Sequence, residues 1–164
     1  MASDTNIADV SRWGRYVMRI PVPWVFGLTF LLGALLEHLA KLDSVIDPHA
    51  AGVAIFTVGV IIAAWAQILF RLQRTTTVPG ERSVALVTSG PYRLTRNPMY
   101  VALALAYVGW AGILRQVWPL VFLTPVMVYL NAIVIPVEER RLRDAFGPVY
   151  ETYCSKVGRW VWRA

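Results

Sequence analysis

Four long apolar stretches follow one another along this chain, at positions 20–36, 48–70, 98–114 and 116–137, each without a single Asp, Glu, Lys or Arg. Crossing about 30 Å of hydrocarbon takes roughly 20 helical residues, so the pattern predicts four transmembrane helices. The first and third runs are short and lean on Arg19 and Arg115, whose long side chains reach back to the interface. A soluble helical core is excluded by composition. With 57% hydrophobic and only 16% charged residues in 164, too little polar surface remains to cover four such helices. The first run starts late, is followed by no A-x-A-like cleavage site and precedes three further spans, so it reads as a retained span rather than a signal peptide. The expected class is an all-α integral membrane protein, with residues 1–164 forming a single membrane domain.

Charge then orients the spans. Arg12, Arg15 and Arg19 precede the first; Arg71, Arg74, Arg82, Arg93 and Arg96 lie between the second and third; Arg140, Arg141, Arg143, Lys156, Arg159 and Arg163 follow the fourth. The other two connections hold Lys41, beside Asp43 and Asp47, and Arg115. Every basic cluster therefore falls on one side, which the positive-inside rule makes cytoplasmic. The expectation is a multi-pass protein of the inner membrane with both termini in the cytoplasm. The net charge of +6 is juxtamembrane, where it meets anionic lipid headgroups, and no basic-aromatic strip points to nucleic acid. Residues 12–20, with Trp13 and Tyr16, suit a short interfacial helix. Spans three and four, separated only by Arg115 and the interfacial residues up to Trp118, should form a tight hairpin.

Standard catalytic machinery is sparse. The lone Cys154 rules out an internal disulfide and a Cys-rich metal site, and His38 and His49 lack ligand spacing, so no metal is expected. No glycine set has the dinucleotide or phosphate-loop pattern. Glu37 and His38 sit where the first helix meets the interface and read as structural. Candidate chemistry is left to the loop 71–97 and to the polar tail from Glu138 onward.

Those segments carry Gly90-Pro91-Tyr92-Arg93, then Arg96-Asn97-Pro98-Met99-Tyr100, then Glu138-Glu139-Arg140. Phe146-Gly147-Pro148-Val149-Tyr150, Tyr153, Lys156-Val157 and Arg159-Trp160 follow. In order, spacing and topology this series resembles the isoprenylcysteine carboxyl methyltransferase family and its relatives among the membrane phospholipid methyltransferases, over roughly residues 80–160. The resemblance implies S-adenosylmethionine as methyl donor, with S-adenosylhomocysteine as product, bound on the cytoplasmic side between the last helices and a helical C-terminal tail. It implies cofactor contacts from Tyr92, Asn97, Pro98, Met99, Tyr100, Glu138, Glu139, Tyr150 and Tyr153, and catalytic roles for Arg96, Glu138, Glu139 and Lys156.

Physical chemistry makes these positions reasonable. Asn97-Pro98 suits the first turn of a helix, whose open N–H groups can receive a carboxylate. A ring and a thioether at Tyr100 and Met99 can pack on a sulfonium. A glutamate at that depth can meet the donor's ammonium. Neighbouring helical residues diverge by about 100°, so only one of Glu138 and Glu139 should point into a given pocket; the sequence leaves open which.

The acceptor should be lipophilic or lipid-linked and arrive through the membrane. A carboxylate, as in isoprenylcysteine, would need a cation such as Arg96, Arg93 or Lys156 to orient it. An amine, as in phosphatidylethanolamine, would need a base, Glu138 or Glu139. Carboxyl O-methylation leads by family name. Asn97 stands where prenylcysteine methyltransferases usually carry His, so no role that needs an imidazole is available there. A nicotinamide-dependent membrane reductase and a non-catalytic membrane subunit are the readings from other classes.

Overall fold

The computed structural model describes residues 21–42, 47–72 and 86–161. The interfacial helix expected at 12–20 and the middle of the basic loop, 73–85, lie outside them. Every described element is helical: α1 (Val22–Leu39), α2 (His49–Leu72), a 3₁₀ turn (Gly90–Arg93), α3 (Pro98–Ile113), α4 (Trp118–Tyr129), a π turn (Leu130–Val134), α5 (Ile135–Phe146) and α6 (Pro148–Lys156).

Three helical rods are long and apolar enough to cross a membrane: α1, α2, and the 29-residue rod Trp118–Phe146 that joins α4, the π turn and α5. At about 1.5 Å per residue, α1 reaches about 27 Å and the 29-residue rod about 43 Å. The fourth apolar helix, α3, has 16 residues and reaches only about 24 Å. Large apolar side chains on α1 and α2, among them Leu28, Leu31, Leu35, Val58, Ile61 and Trp65, face outward. That surface suits lipid and would be costly in water.

The helices associate in two pairs, α2 on α3 and α1 on α4. Small residues set the first pair. A side-chain carbon on Gly52 would come within 2.6 Å of the Ile113 backbone nitrogen, and one on Gly109 would collide with the Phe56 backbone. Without a hydrophobic force between helices in lipid, such close approach is what dispersion attraction requires. A cluster of Phe26, Tyr107, Val126, Leu130, Val134 and Ile135 joins α1, α3 and the long rod, with the Phe26 and Phe30 rings set edge-on to Tyr107.

The turn between spans three and four is as tight as expected, and its closure is specific. Arg115 adopts φ 55°, with Gln116 N–H bonded to Ala111 O and Arg115 N–H to Gly112 O, the paired bonds of a Schellman stop. A non-glycine residue there is held by its side chain, whose Nε and Nη2 meet the two Asp47 oxygens at 2.8 and 2.7 Å. Glu37, 6% exposed, caps the next helix: Oε2 accepts the Val117 and Trp118 N–H groups at 2.7 and 3.0 Å, and Oε1 that of Leu42. This is the structural role expected of it.

The helix of the fourth span runs on past the apolar segment 116–137 to Phe146, where a polar tail was expected, because residues 138–145 are mainly good helix formers and the stop falls at Gly147, φ 50°. Both glutamates therefore lie within the rod rather than closing it. The π turn just before them has a local cause. Ile135 N–H bonds to Leu130 O, and the next residue in that register, Pro136, has no N–H to offer the Asn131 carbonyl.

Candidate functional site

The basic end of the bundle gathers the N-terminus of α3, the C-terminal half of the long rod, α6 and the tail. Pro98 fixes the first turn of α3, while Asn97 at its N-cap provides no side-chain cap. Asn97 instead turns its amide outward, Nδ2 donating to Arg159 O at 2.9 Å. Thr95 Oγ1 donates to the same carbonyl at 2.9 Å and accepts the Asn97 N–H at 3.1 Å. The turn before α3 is thus stitched to the tail rather than closed on itself.

The two glutamates diverge as helical geometry requires. Glu138 Oε1 accepts the Tyr100 hydroxyl at 2.6 Å, and its other oxygen accepts no hydrogen bond from a described residue. The charge of Arg141 reaches this carboxylate. Glu139, 4% exposed, faces the opposite way into guanidinium groups: Arg159 at 2.7 Å, Arg96 at 3.1 Å and Arg143 at 4.0 Å. Arg143 is committed more closely to Glu151, at 2.7 Å. Arg96 Nη1 also donates to Cys154 Sγ at 2.8 Å, while its Nε is buried without a partner.

The other expected residues divide between these two sides. Tyr92 is buried in a cluster with Ala66 and Val87, and its phenol is pushed well above the ordinary range by burial first, then by Tyr153 and the negative charge of Glu138. Tyr150, 1% exposed, is raised by burial, then by Cys154 and Glu139, and belongs to the Glu139 side. Tyr153 bridges the cap, its hydroxyl donating to Tyr92 O at 2.7 Å. Met99 packs with Ala66, Val87 and Tyr92 toward α2. Pro98 is buried. Lys156, at the end of α6, and Arg93, the last residue of the 3₁₀ turn, are exposed and take no part in either cluster. Sequence reading missed Thr95, Asn131 and the extent of Arg159's contacts. Pro136 within an apolar run was a partial signal: in an α-helix it frees the carbonyl of Ala132, and only the π turn moves the effect to Asn131.

Chemically the arrangement offers a carboxylate with spare acceptor capacity beside a phenol, a second carboxylate fully charge-compensated, and an open helix N-terminus. Among the described residues no three His, Cys, Asp or Glu side chains come together as a metal set would. The chain belongs to the phospholipid methyltransferase family, whose model matches residues 48–149, in keeping with the resemblance drawn from the motifs. The matched segment takes in Arg96 to Tyr100 and both glutamates, while Tyr150, Tyr153 and Arg159 lie beyond it. The chain is also similar to the cobalt-zinc-cadmium resistance protein CzcN of Cupriavidus metallidurans, 29% identical over 139 residues, covering 81% of this chain and 59% of that relative. It thus spans about three fifths of the curated relative's length. No solved structure gives a significant match.

Proposed function

We propose that this protein transfers a methyl group from S-adenosylmethionine to a lipophilic acceptor at the cytoplasmic face of the inner membrane. The observation that carries the reading is the 2.6 Å bond between Tyr100 and Glu138, at the end where α3 opens and the basic residues collect. The residues fit the donor. Its carboxylate finds the uncapped first turn of α3 and the unpartnered Nε of Arg96, and its positively charged sulfur would find the negative charge of Glu138. When bound, S-adenosylmethionine supplies an electrophilic methyl group on a positively charged sulfur. The protein's part is alignment of the two reactants and exclusion of water. Tyr100 fixes the Glu138 carboxylate by one strong charge-assisted hydrogen bond. Tyr153 ties α6 to the turn before α3 through the Tyr92 carbonyl.

The acceptor follows from how the charged groups are spent. A carboxylate acceptor needs a free cation, but Arg96 is engaged by Glu139, Cys154 and, in this reading, the donor's own carboxylate, and Arg93 and Lys156 are exposed. An amine must lose a proton before it attacks, and Glu138 is the carboxylate with capacity to take it. This favours N-methylation of an amine-bearing lipid over the carboxyl O-methylation of an isoprenylcysteine-like acceptor. The positive-inside arrangement supports a cytoplasmic site, where a cytosolic donor would meet a membrane-borne acceptor.

Calorimetric titration of the detergent-purified protein with S-adenosylhomocysteine tests the donor half. Saturable binding that weakens in Tyr100→Phe and Glu138→Gln is expected, and a folded wild type that binds none would overturn the reading.

A further inference from the structure

The side-chain contacts of Arg159 run to separate parts of the fold at the basic end. Nη2 and Nε meet the two Glu139 oxygens at 2.7 and 3.1 Å. Nη1 lies 3.3 Å from Asn131 Oδ1 and 3.5 Å from the Asn131 carbonyl, the carbonyl that Pro136 leaves without its helical partner. Trp160 Nε1 donates to the same Asn131 Oδ1 at 3.1 Å. The backbone on either side is also engaged: Arg159 O takes the Thr95 hydroxyl and Asn97 amide, and Gly158 O takes the Arg96 N–H at 2.9 Å.

We infer that Arg159 is a positioning residue for the methyl-donor site: braced on Asn131, it fixes Glu139 and, through Glu139 and the adjoining tail carbonyls, sets Arg96 and the turn that opens α3. The inference rests on the methyltransferase reading and assigns Glu139 to the support of the site rather than to ligand. A planar guanidinium is needed, because it grips a carboxylate side-on while its remaining nitrogen reaches Asn131. A lysine ammonium is a point charge and cannot span both. Arg143 does not replace it, being 4.0 Å from Glu139 and held by Glu151. Arg96 alone would leave the carboxylate half-compensated and free to rotate.

The test is titration of the full-length purified protein with S-adenosylhomocysteine, using Arg159→Ala, Arg159→Lys and Asn131→Ala, each with and without added guanidinium or methylammonium. Arg159→Ala is expected to bind at least about tenfold more weakly, as loss of one partner of a buried charge pair predicts. Arg159→Lys should be similarly impaired. Guanidinium, and not methylammonium, should restore Arg159→Ala toward wild type, which a general structural defect would not allow. Asn131→Ala, at an exposed position, should weaken binding about threefold, in line with loss of modest hydrogen bonds, and it carries the test if Arg159→Ala does not fold. Wild-type affinity in Arg159→Ala, or a loss that guanidinium leaves untouched, overturns the inference while the methyltransferase reading stands; for Asn131→Ala, unchanged affinity does the same. Absence of binding by folded wild type overturns both.

Discussion

Replacing Glu139 by Ala should damage the fold far more than replacing its neighbour Glu138. Glu139 is buried against three guanidinium groups, and the Arg96 and Arg159 side chains are only 15% and 31% exposed. Removing the carboxylate leaves these like charges close together without their counter-charge, and breaking a buried pair by deleting one partner costs about 3–5 kcal/mol. The partial exposure of Arg159, and the second partner that Glu151 gives Arg143, put the expected loss at the low end, about 3 kcal/mol. Glu138→Ala loses one hydrogen bond, from Tyr100, worth about 1.5 kcal/mol, the low end for a charged acceptor. Against a total stability of about 5–15 kcal/mol, the two variants are separable. Thermal unfolding in detergent, followed by tryptophan fluorescence, reads the difference, and Trp160 on the clasp reports undocking of the tail. Glu139→Ala should melt well below Glu138→Ala, with the tail releasing first. Equal melting of the two variants, or wild-type behaviour of Glu139→Ala, would refute the assignment of Glu139 as the electrostatic centre of the cap.

Glu37→Ala strips the cap from three backbone N–H groups at the opposite end and should cost about 1–2 kcal/mol, with Glu37→Gln losing less; thermal melts of the three proteins check it. Gly109→Ala forces a methyl group into the Phe56 backbone and should cost at least about 2 kcal/mol by overpacking, read as a fall in the yield of monodisperse protein. Asp47 is held well below the usual carboxylate range, first by its hydrogen bonds to Arg115 and then by the His49 N–H. Because its folded value is lowered, its stabilisation is complete above the unfolded value of about 3.9 and fades only as pH falls through the lower folded one. The difference in melting temperature between wild type and Asp47→Asn should therefore stay constant from neutral pH down to about pH 5, and a loss already at pH 6 would contradict it.

The apolar runs made the membrane class and span order legible, because lipid leaves few alternatives to a helix. Pairing of the helices was not legible: sequence adjacency suggested α3 against α4, whereas Gly52, Gly59 and Gly109 bring α3 against α2, a preference set by shape rather than hydrophobicity. Where the fourth helix stops was not legible, because polarity at Glu138 marks the end of the apolar span while Glu, Arg, Leu and Ala continue the helix readily. Within the site, the motif order brought Tyr100 and the glutamates to the same end. Their division of labour depended on rotation about the rod, which Pro136 and the π turn alter by a fraction of a turn. Asn97 shows the limit most plainly: its place at a helix start was readable, but its amide serves the carbonyl of a residue 62 positions away.

The most direct test of the central claim is incorporation of labelled methyl from S-adenosylmethionine into the lipid extract of membranes containing the full chain, with Glu138→Gln, Tyr100→Phe and empty membranes beside it. Methyl transfer to nitrogen predicts label in an amine-bearing lipid, reduced in Tyr100→Phe and lost in Glu138→Gln. Label absent from wild-type membranes that hold folded protein, or undiminished in Glu138→Gln, would contradict it.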